Sequence, residues 1–186
     1  MAKLFFRYAA MNAGKSTALL QVAHNYEERG HRVLIYTARV DDRFGEGFVT
    51  SRLGPQRQAA TFDDTTDFRA EAARSPGVAC ILVDEAQFMT PAQVQTLHEL
   101  AHLQNIPAIC YGLRTDFRGE LFPGSATLLA LADEMDEMKT ICDCGRKATM
   151  NMRVDANNRK VTEGAQVEIG GNSRYRSVCG RCFRSS

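Results

Sequence analysis

The segment Ala9-Ala10-Met11-Asn12-Ala13-Gly14-Lys15-Ser16 joins an apolar run, Lys3 to Ala9, to a helical pattern from Lys15 to Arg29. No other feature constrains the fold as much, because a loop of this kind between strand and helix belongs to parallel α/β sheets that hold phosphates at their strand ends. Gly14 lets the backbone curl so that successive N–H groups converge on an anion. Lys15 adds a positive charge toward the β- and γ-phosphates, and Ser16 offers a hydroxyl to Mg²⁺. The helix N-terminus adds its dipole. Ala9 stands where the first glycine of the general pattern sits. An ordinary strand-to-helix turn would also contain a glycine, but it would need no acidic partner downstream.

The chain supplies that partner. Val78 to Val83 is a nearly unbroken apolar run, as expected of a strand buried on both faces, and it ends in Asp84-Glu85. An aspartate at the tip of such a strand, beside a phosphate loop, holds Mg²⁺ directly or through water. Glu85 reaches the same cleft from another angle and can accept the proton of an attacking hydroxyl. Two surface acids ending a strand would look alike in isolation. Lys15 and Ser16 shift the reading toward function.

Short apolar runs alternate with helical patterns over roughly the first 110 residues, which reads as a parallel sheet. Leu19, Val22, Ala23 and Tyr26 share one face of the first helix, and Gly30 is placed to end it. Arg32 to Thr37 reads as the second strand. Thr90 to Gln104 reads as a helix with Thr90 as N-cap, Pro91 at the first helical position and Gln93 completing a capping box. Pro107 to Tyr111 reads as a strand and Ala126 to Lys139 as a further helix. Asp41 to Thr61, rich in glycine and charge, reads as a mobile loop. From Ile141 the helical signal gives way to four cysteines, short alternating runs, a turn at Asp155-Ala156-Asn157-Asn158 and a Gly170-Gly171 pair. The expected organisation is a nucleotide-binding α/β domain over 1–140 and a small β module over 141–186.

The formal net charge of +1 argues against a dedicated nucleic-acid binder. No apolar run approaches the ~20 residues that cross a bilayer, and Met1 to Arg7 lacks the features of a leader. The expected location is the cytoplasm, where disulfides are rare. The six cysteines therefore need another explanation. Cys142-Asp143-Cys144 and Cys179-Gly180-Arg181-Cys182 are two close pairs whose thiolates can converge on a tetrahedral Zn²⁺. Four protein ligands leave no open position, so the ion would be structural, a staple for a module with a thin core. Two unrelated pairs of free thiols would leave that module without a source of stability. Cys80 and Cys110 lie in apolar strands and read as core residues.

Two further motifs compete for attention. Asp84-Glu85-Ala86-Gln87 comes close to the D-E-A-D signature of RNA helicases, but those enzymes use two such domains in a much longer chain. His98-Glu99-Leu100-Ala101-His102 matches H-E-x-x-H, which on a helix can bind zinc with the glutamate as base. A third ligand is the difficulty: His24 and His31 lie upstream, and Glu120 is the remaining candidate. The histidines read as a boundary pair flanking the buried face made by Val94, Leu97 and Ala101.

Ala10-Met11-Asn12-Ala13-Gly14-Lys15-Ser16, Asp41-Asp42-Arg43-Phe44, Asp84-Glu85-Ala86-Gln87-Phe88, Tyr111-Gly112-Leu113-Arg114-Thr115-Asp116-Phe117 and the ending Ile169-Gly170-Gly171…Tyr175…Cys179…Cys182 occur in this order over nearly the whole chain. Together they resemble the type II, cytosolic-type thymidine kinases, most closely the bacterial branch. The resemblance implies a P-loop (RecA-like) parallel-sheet core with a C-terminal zinc-binding β module carrying a lasso loop, and transfer of the γ-phosphate of ATP to the 5′-hydroxyl of thymidine. It implies Glu85 as catalytic base. Ala9 to Ser16, Asp84 to Gln87, Asp41 and Arg43 would surround ATP and Mg²⁺. Met11, Phe88, Leu113 and Phe117 would enclose thymine, and Gly170 and Tyr175 would belong to a lasso whose main chain reads the edge of the base. Asn151 and Gln166 align poorly with the family and receive no role. A homotetramer, and feedback inhibition by thymidine triphosphate, are implied by the family alone.

Overall fold

The computed structural model describes residues 1–40, 47–51, 53–168 and 174–185. Its elements, in chain order, are β1 (Leu4–Ala9), α1 (Lys15–Glu27), β2 (Arg32–Ala38), β3 (Phe48–Thr50), β4 (Gln56–Gln58), β5 (Ala60–Phe62), α2 (Phe68–Arg74), β6 (Val78–Val83), a 3-10 turn (Ala86–Phe88), α3 (Pro91–Gln104), β7 (Ala108–Leu113), α4 (Pro123–Leu131), β8 (Glu134–Glu137), β9 (Thr140–Ile141), β10 (Lys147–Ala148), β11 (Met150–Arg153), β12 (Tyr175–Val178) and α5 (Gly180–Ser185).

Six strands form one sheet in the order β5-β2-β6-β7-β1-β8, and every neighbouring pair is parallel. The strand that leads into the phosphate loop, β1, is thus separated from the acidic strand, β6, by β7. Alternate residues of β6 face opposite sides, as the pleat requires. Ile81 and Val83 pack with Val94, Leu97 and Leu100 of α3 and Phe68 of α2. Cys80 and Leu82 pack with Leu19 and Ala23 of α1 and with Tyr111. Both faces are covered by helices, which is why the β6 sequence is almost wholly apolar. Cys80 and Cys110 are fully buried, and burial pushes the Cys80 thiol up to about 12, so both are inert core residues.

The helix boundaries follow their local chemistry. The Thr90 hydroxyl accepts from Gln93 N at 3.2 Å, and Gln93 Oε1 accepts from Thr90 N at 3.0 Å, closing the capping box. Asp67 caps α2 by accepting from the Arg69 and Ala70 amides. Gly30 follows α1 with φ +75°, in the left-handed region that favours glycine. The Asp155 carboxylate closes its turn by accepting from the Asn157 and Arg159 amides.

After β8 the chain builds two small antiparallel pairs, β9 with β10 and β11 with β12. Their core is thin: Ala148, Met152, Val154, Val178 and Phe183 around Cys142 and Cys179. The short helix α5 completes it, an element the sequence did not announce.

Two expectations fail. The helix expected over Ala126 to Lys139 starts earlier, at Pro123, and stops at Leu131. Glu134–Glu137 instead joins the sheet edge beside β1. Glu and Met favour helix locally, but the open edge of β1 offers unpaired backbone groups, and pairing overrides propensity. The stretch read as a loop over Asp41 to Thr61 contains, in its described residues, the β3–β4 hairpin and the start of β5, which pairs with β2. Val49 is drawn into the core beside α1.

Gly124, in the first turn of α4, lies against the 3-10 turn. A Cβ there would stand 2.7 Å from the carbonyl oxygens of Ala86 and Met89 and 2.9 Å from that of Gln87. Alanine normally improves a helix by up to ~1 kcal/mol over glycine. Here backbone atoms would have to shift, so Gly124→Ala is expected to destabilise by ~1–3 kcal/mol in urea unfolding. A gain in stability would mean that α4 does not rest on this turn.

Candidate active site

The loop between β1 and α1 puts Asn12 and Gly14 at positive φ, +63° and +79°. Gly14 is the N-cap of α1, and among the described residues no side chain caps that helix, so its first amides remain directed at the loop's concave side. Lys15 is buried, with Nζ 3.4 Å from the Ala10 carbonyl. The Ser16 hydroxyl donates to Asp84 Oδ2 at 2.7 Å. The loop of β1 and the tip of β6 therefore meet across the end of β7.

Asp84 is almost wholly buried. Burial, with the neighbouring Glu85 charge adding to it, pushes its carboxyl up to about 7, while the Ser16 hydroxyl and the Lys15 ammonium pull the other way. A buried carboxylate of this kind gains from a bound cation.

Glu85 breaks the strand. Its φ of +52° is left-handed, a conformation that costs a non-glycine residue ~1–3 kcal/mol and clusters at functional sites. Its side chain is held: Gln87 Nε2 donates to Glu85 Oε2 at 2.6 Å, while Gln87 Oε1 accepts from Leu113 N at 3.0 Å. Gln87 is buried, and Gly112 makes room for it, since a Cβ on Gly112 would stand 2.9 Å from Gln87 Oε1. Both ends of the amide are thus committed, one to the Glu85 carboxylate and one to β7.

Of the residues expected around an acceptor, Met11, Phe88 and Leu113 are half-buried near the strand ends. Phe88 meets Phe122 edge-on and lines a cavity of about 320 Å³ with Ala38, Val40, Phe62, Asp63, Asp64 and Thr65. Phe117 is buried, with the Arg153 guanidinium 3.8 Å from its ring centroid. Tyr175 Oη accepts from Arg153 Nε at 2.9 Å. Asp41, Arg43 and Gly170 lie outside the described residues.

The four cysteines converge. One sulfur from each of Cys142, Cys144, Cys179 and Cys182 lies within 4.8 Å of the others, and the Cys144 and Cys179 sulfurs are 3.6 Å apart. Sulfurs bound at ~2.3 Å around a tetrahedral Zn²⁺ stand about 3.8 Å apart, so this donor set fits zinc.

The thymidine kinase family model matches residues 2–183. The chain belongs to the thymidine kinase family. Thymidine kinase of Chromobacterium violaceum is 64% identical over 183 residues, 98% of each chain. Those of Salmonella typhimurium and Agrobacterium fabrum are 55% and 56% identical, covering 100% and 97% of this chain and 92% and 95% of theirs. Among solved structures, a Pif1 helicase from a study of forked DNA superposes with a TM-score of 0.43 at 13% identity, covering 75% of this chain and 40% of its own.

Within this thymidine kinase framework the structure adds residues that motif reading left out. Asn151 Oδ1 accepts from Met11 N at 2.8 Å, and Asn151 Nδ2 donates to the Thr115 carbonyl at 3.3 Å. The Ser177 hydroxyl donates to the Met11 carbonyl. Asn151 and Ser177 are direct partners across the β11–β12 ladder, so one face of this hairpin grips both polar groups of Met11. Gln166 Nε2 donates to Asp116 Oδ2 at 3.2 Å. Arg153, only 2% exposed, links Phe117, Tyr175 and the Gln166 carbonyl. Nothing in the local pattern distinguishes these side chains from ordinary strand residues. Their partners are more than 100 positions away for Met11 and come together only on folding.

Removing a buried hydrogen-bond partner leaves the other group unsatisfied at a cost of ~1–3 kcal/mol. Asn151→Ala is therefore expected to lower unfolding stability by that amount, and Asn151→Asp, which keeps the acceptor for Met11 but sets a buried carboxylate oxygen against the Thr115 carbonyl, by at least as much. Equal stability of Asn151→Ala and the parent chain in chemical denaturation would show that Met11 is not held this way.

Proposed function

We propose that this chain is a thymidine kinase that transfers the γ-phosphate of ATP to the 5′-hydroxyl of thymidine, giving thymidine monophosphate and ADP. One observation carries the reading: a phosphate loop joined to Asp84 through Ser16, with the Gln87-held carboxylate of Glu85 beside it, in a chain that matches the thymidine kinase family over residues 2–183.

In this reading the amides from Ala9 to Ser16 cradle the phosphates of ATP, and Lys15 neutralises charge on the β- and γ-phosphates. Ser16 and Asp84 hold the Mg²⁺ that accompanies ATP, with Ala86 and Gln87 shaping the floor of the cleft. Mg²⁺ supplies charge neutralisation on the transferring group. Glu85 accepts the 5′-hydroxyl proton as that oxygen attacks the γ-phosphorus. The bond from phosphorus to the β–γ bridging oxygen breaks, and ADP carries away the electron pair. Gln87 keeps Glu85 from turning toward solvent, a positioning task in which small displacements cost rate.

Met11, Phe88 and Leu113 would border thymine, with Phe117 behind them under Arg153, and the lasso segment with Gly170 and Tyr175 would read the base edge. Asp41 and Arg43, by the family resemblance, would belong near the phosphates. Zn²⁺ on the four cysteines would anchor both ends of the lasso module, which we take to start near residue 141. Cytoplasmic location, assembly as a homotetramer and inhibition by thymidine triphosphate complete the proposal.

The test is ADP release from Mg-ATP with thymidine, uridine or single-stranded DNA as additions. Thymidine-dependent release with formation of thymidine monophosphate is expected. Release that rises with DNA and ignores thymidine would replace this reading with a nucleic-acid-stimulated ATPase. Glu85→Gln is expected to lower turnover by ~10²–10⁴-fold with ATP binding retained. Cys144→Ser is expected to lose zinc and thymidine affinity together, and unchanged metal content would remove the four-cysteine site.

A further inference from the structure

The motif His98-Glu99-Leu100-Ala101-His102 finds in the fold the third ligand that the sequence lacked. His98 and His102 lie one turn apart on α3, their ring centroids 4.4 Å from each other. Asp133, between α4 and β8, reaches the same spot: His102 Nε2 is 3.1 Å from Asp133 Oδ1 and 3.0 Å from Oδ2. One ligand atom from each of the three residues lies within 4.8 Å of the others. Glu99 is engaged elsewhere, in an ion pair with Arg69, so the resemblance to zinc proteases extends to the ligands and stops short of their base.

We propose that His98, His102 and Asp133 bind a divalent transition metal such as Zn²⁺, at a site distinct from both the cysteine cluster and the phosphate loop. Nitrogen and oxygen atoms bound at ~2.0–2.2 Å to a tetrahedral ion stand about 3.3 Å apart, close to the His102–Asp133 separation. Two imidazoles and one carboxylate suit Zn²⁺, Co²⁺ or Ni²⁺ better than Mg²⁺ or Ca²⁺. The carboxylate is also oriented from behind, since Asp133 Oδ2 accepts from Leu4 N at 2.8 Å, the kind of outer contact that fixes a ligand in place. His102 and Asp133 are 28% and 25% exposed at their side chains, which leaves an open side for entry and for a water as fourth ligand.

The location defines the role. Leu4 begins β1 and the phosphate loop follows Ala9, so at ~3.3 Å per residue the two ends lie about 17 Å apart. The ion would clamp the last turns of α3 to the start of β1 and to the link that leads into the edge strand β8. It would stabilise the sheet from the end opposite the chemistry.

The experiment uses the full, tag-free chain, already loaded at its cysteine site, and measures Zn²⁺ uptake by elemental analysis and calorimetry. The expected result is a second equivalent, bound with a rise in unfolding temperature, as ligand linkage requires. His98→Ala and His102→Ala should each lose that equivalent and the thermal shift while keeping the first, and Asp133→Asn should weaken it by at least ~tenfold. Co²⁺ added to the zinc-loaded parent chain should give weak visible bands without thiolate charge transfer, a readout that does not depend on any variant folding. No uptake beyond the cysteine-bound equivalent, or a second equivalent that survives in both histidine variants, would overturn the site and leave an ion pair between His102 and Asp133.

Discussion

One hydrogen bond, from the Ser16 hydroxyl to the Asp84 carboxylate, joins the two halves of the proposed reaction centre. Its donor sits at the start of α1 and its acceptor at the tip of β6, and the two are brought together by a sheet order that sets β7 between β1 and β6. The bond exists because the three strands are adjacent and parallel, so their C-terminal ends lie side by side. Asp84 is buried there at a cost visible in its raised pKa. That cost would be offset by the phosphate-bound cation of the proposed mechanism, and would be a liability in an ordinary core.

A second set of contacts depends on this frame. Met11, in the loop, is held on its N–H by Asn151 and on its carbonyl by Ser177. These two residues belong to a hairpin whose own apolar core is small. The cluster of cysteines lies at the base of that hairpin, with Cys179 following β12 directly. In the proposed reading, zinc on the cysteines would steady this hairpin and, through the two side chains that hold Met11, the phosphate loop.

The same economy appears around Glu85. Its left-handed backbone turns the chain sharply out of β6 into the 3-10 turn, and the turn packs under α4 at Gly124. Gln87 then spans from Glu85 to Leu113, which ties the orientation of the carboxylate to the end of β7. Positive φ, a close glycine contact and a doubly bonded amide all serve one carboxylate position.

The sequence by itself determined the strand–loop–helix at the N-terminus, the apolar strand ending in Asp84-Glu85, the capped helix from Pro91 and the paired cysteines. Each is written in contiguous residues: hydrophobic period, turn chemistry, capping pattern or ligand spacing. Only the tertiary structure decided that Glu134–Glu137 is an edge strand and not the end of a helix, that Asn151 and Ser177 close on Met11 while Gln166 reaches Asp116 and Arg153 reaches Phe117, and that Asp133 stands beside His98 and His102. The reason is physical. An edge strand is defined by the neighbour it pairs with, and a side chain that reaches across 140 positions leaves no local period or spacing. Local chemistry names the elements, and packing chooses which of their polar atoms meet.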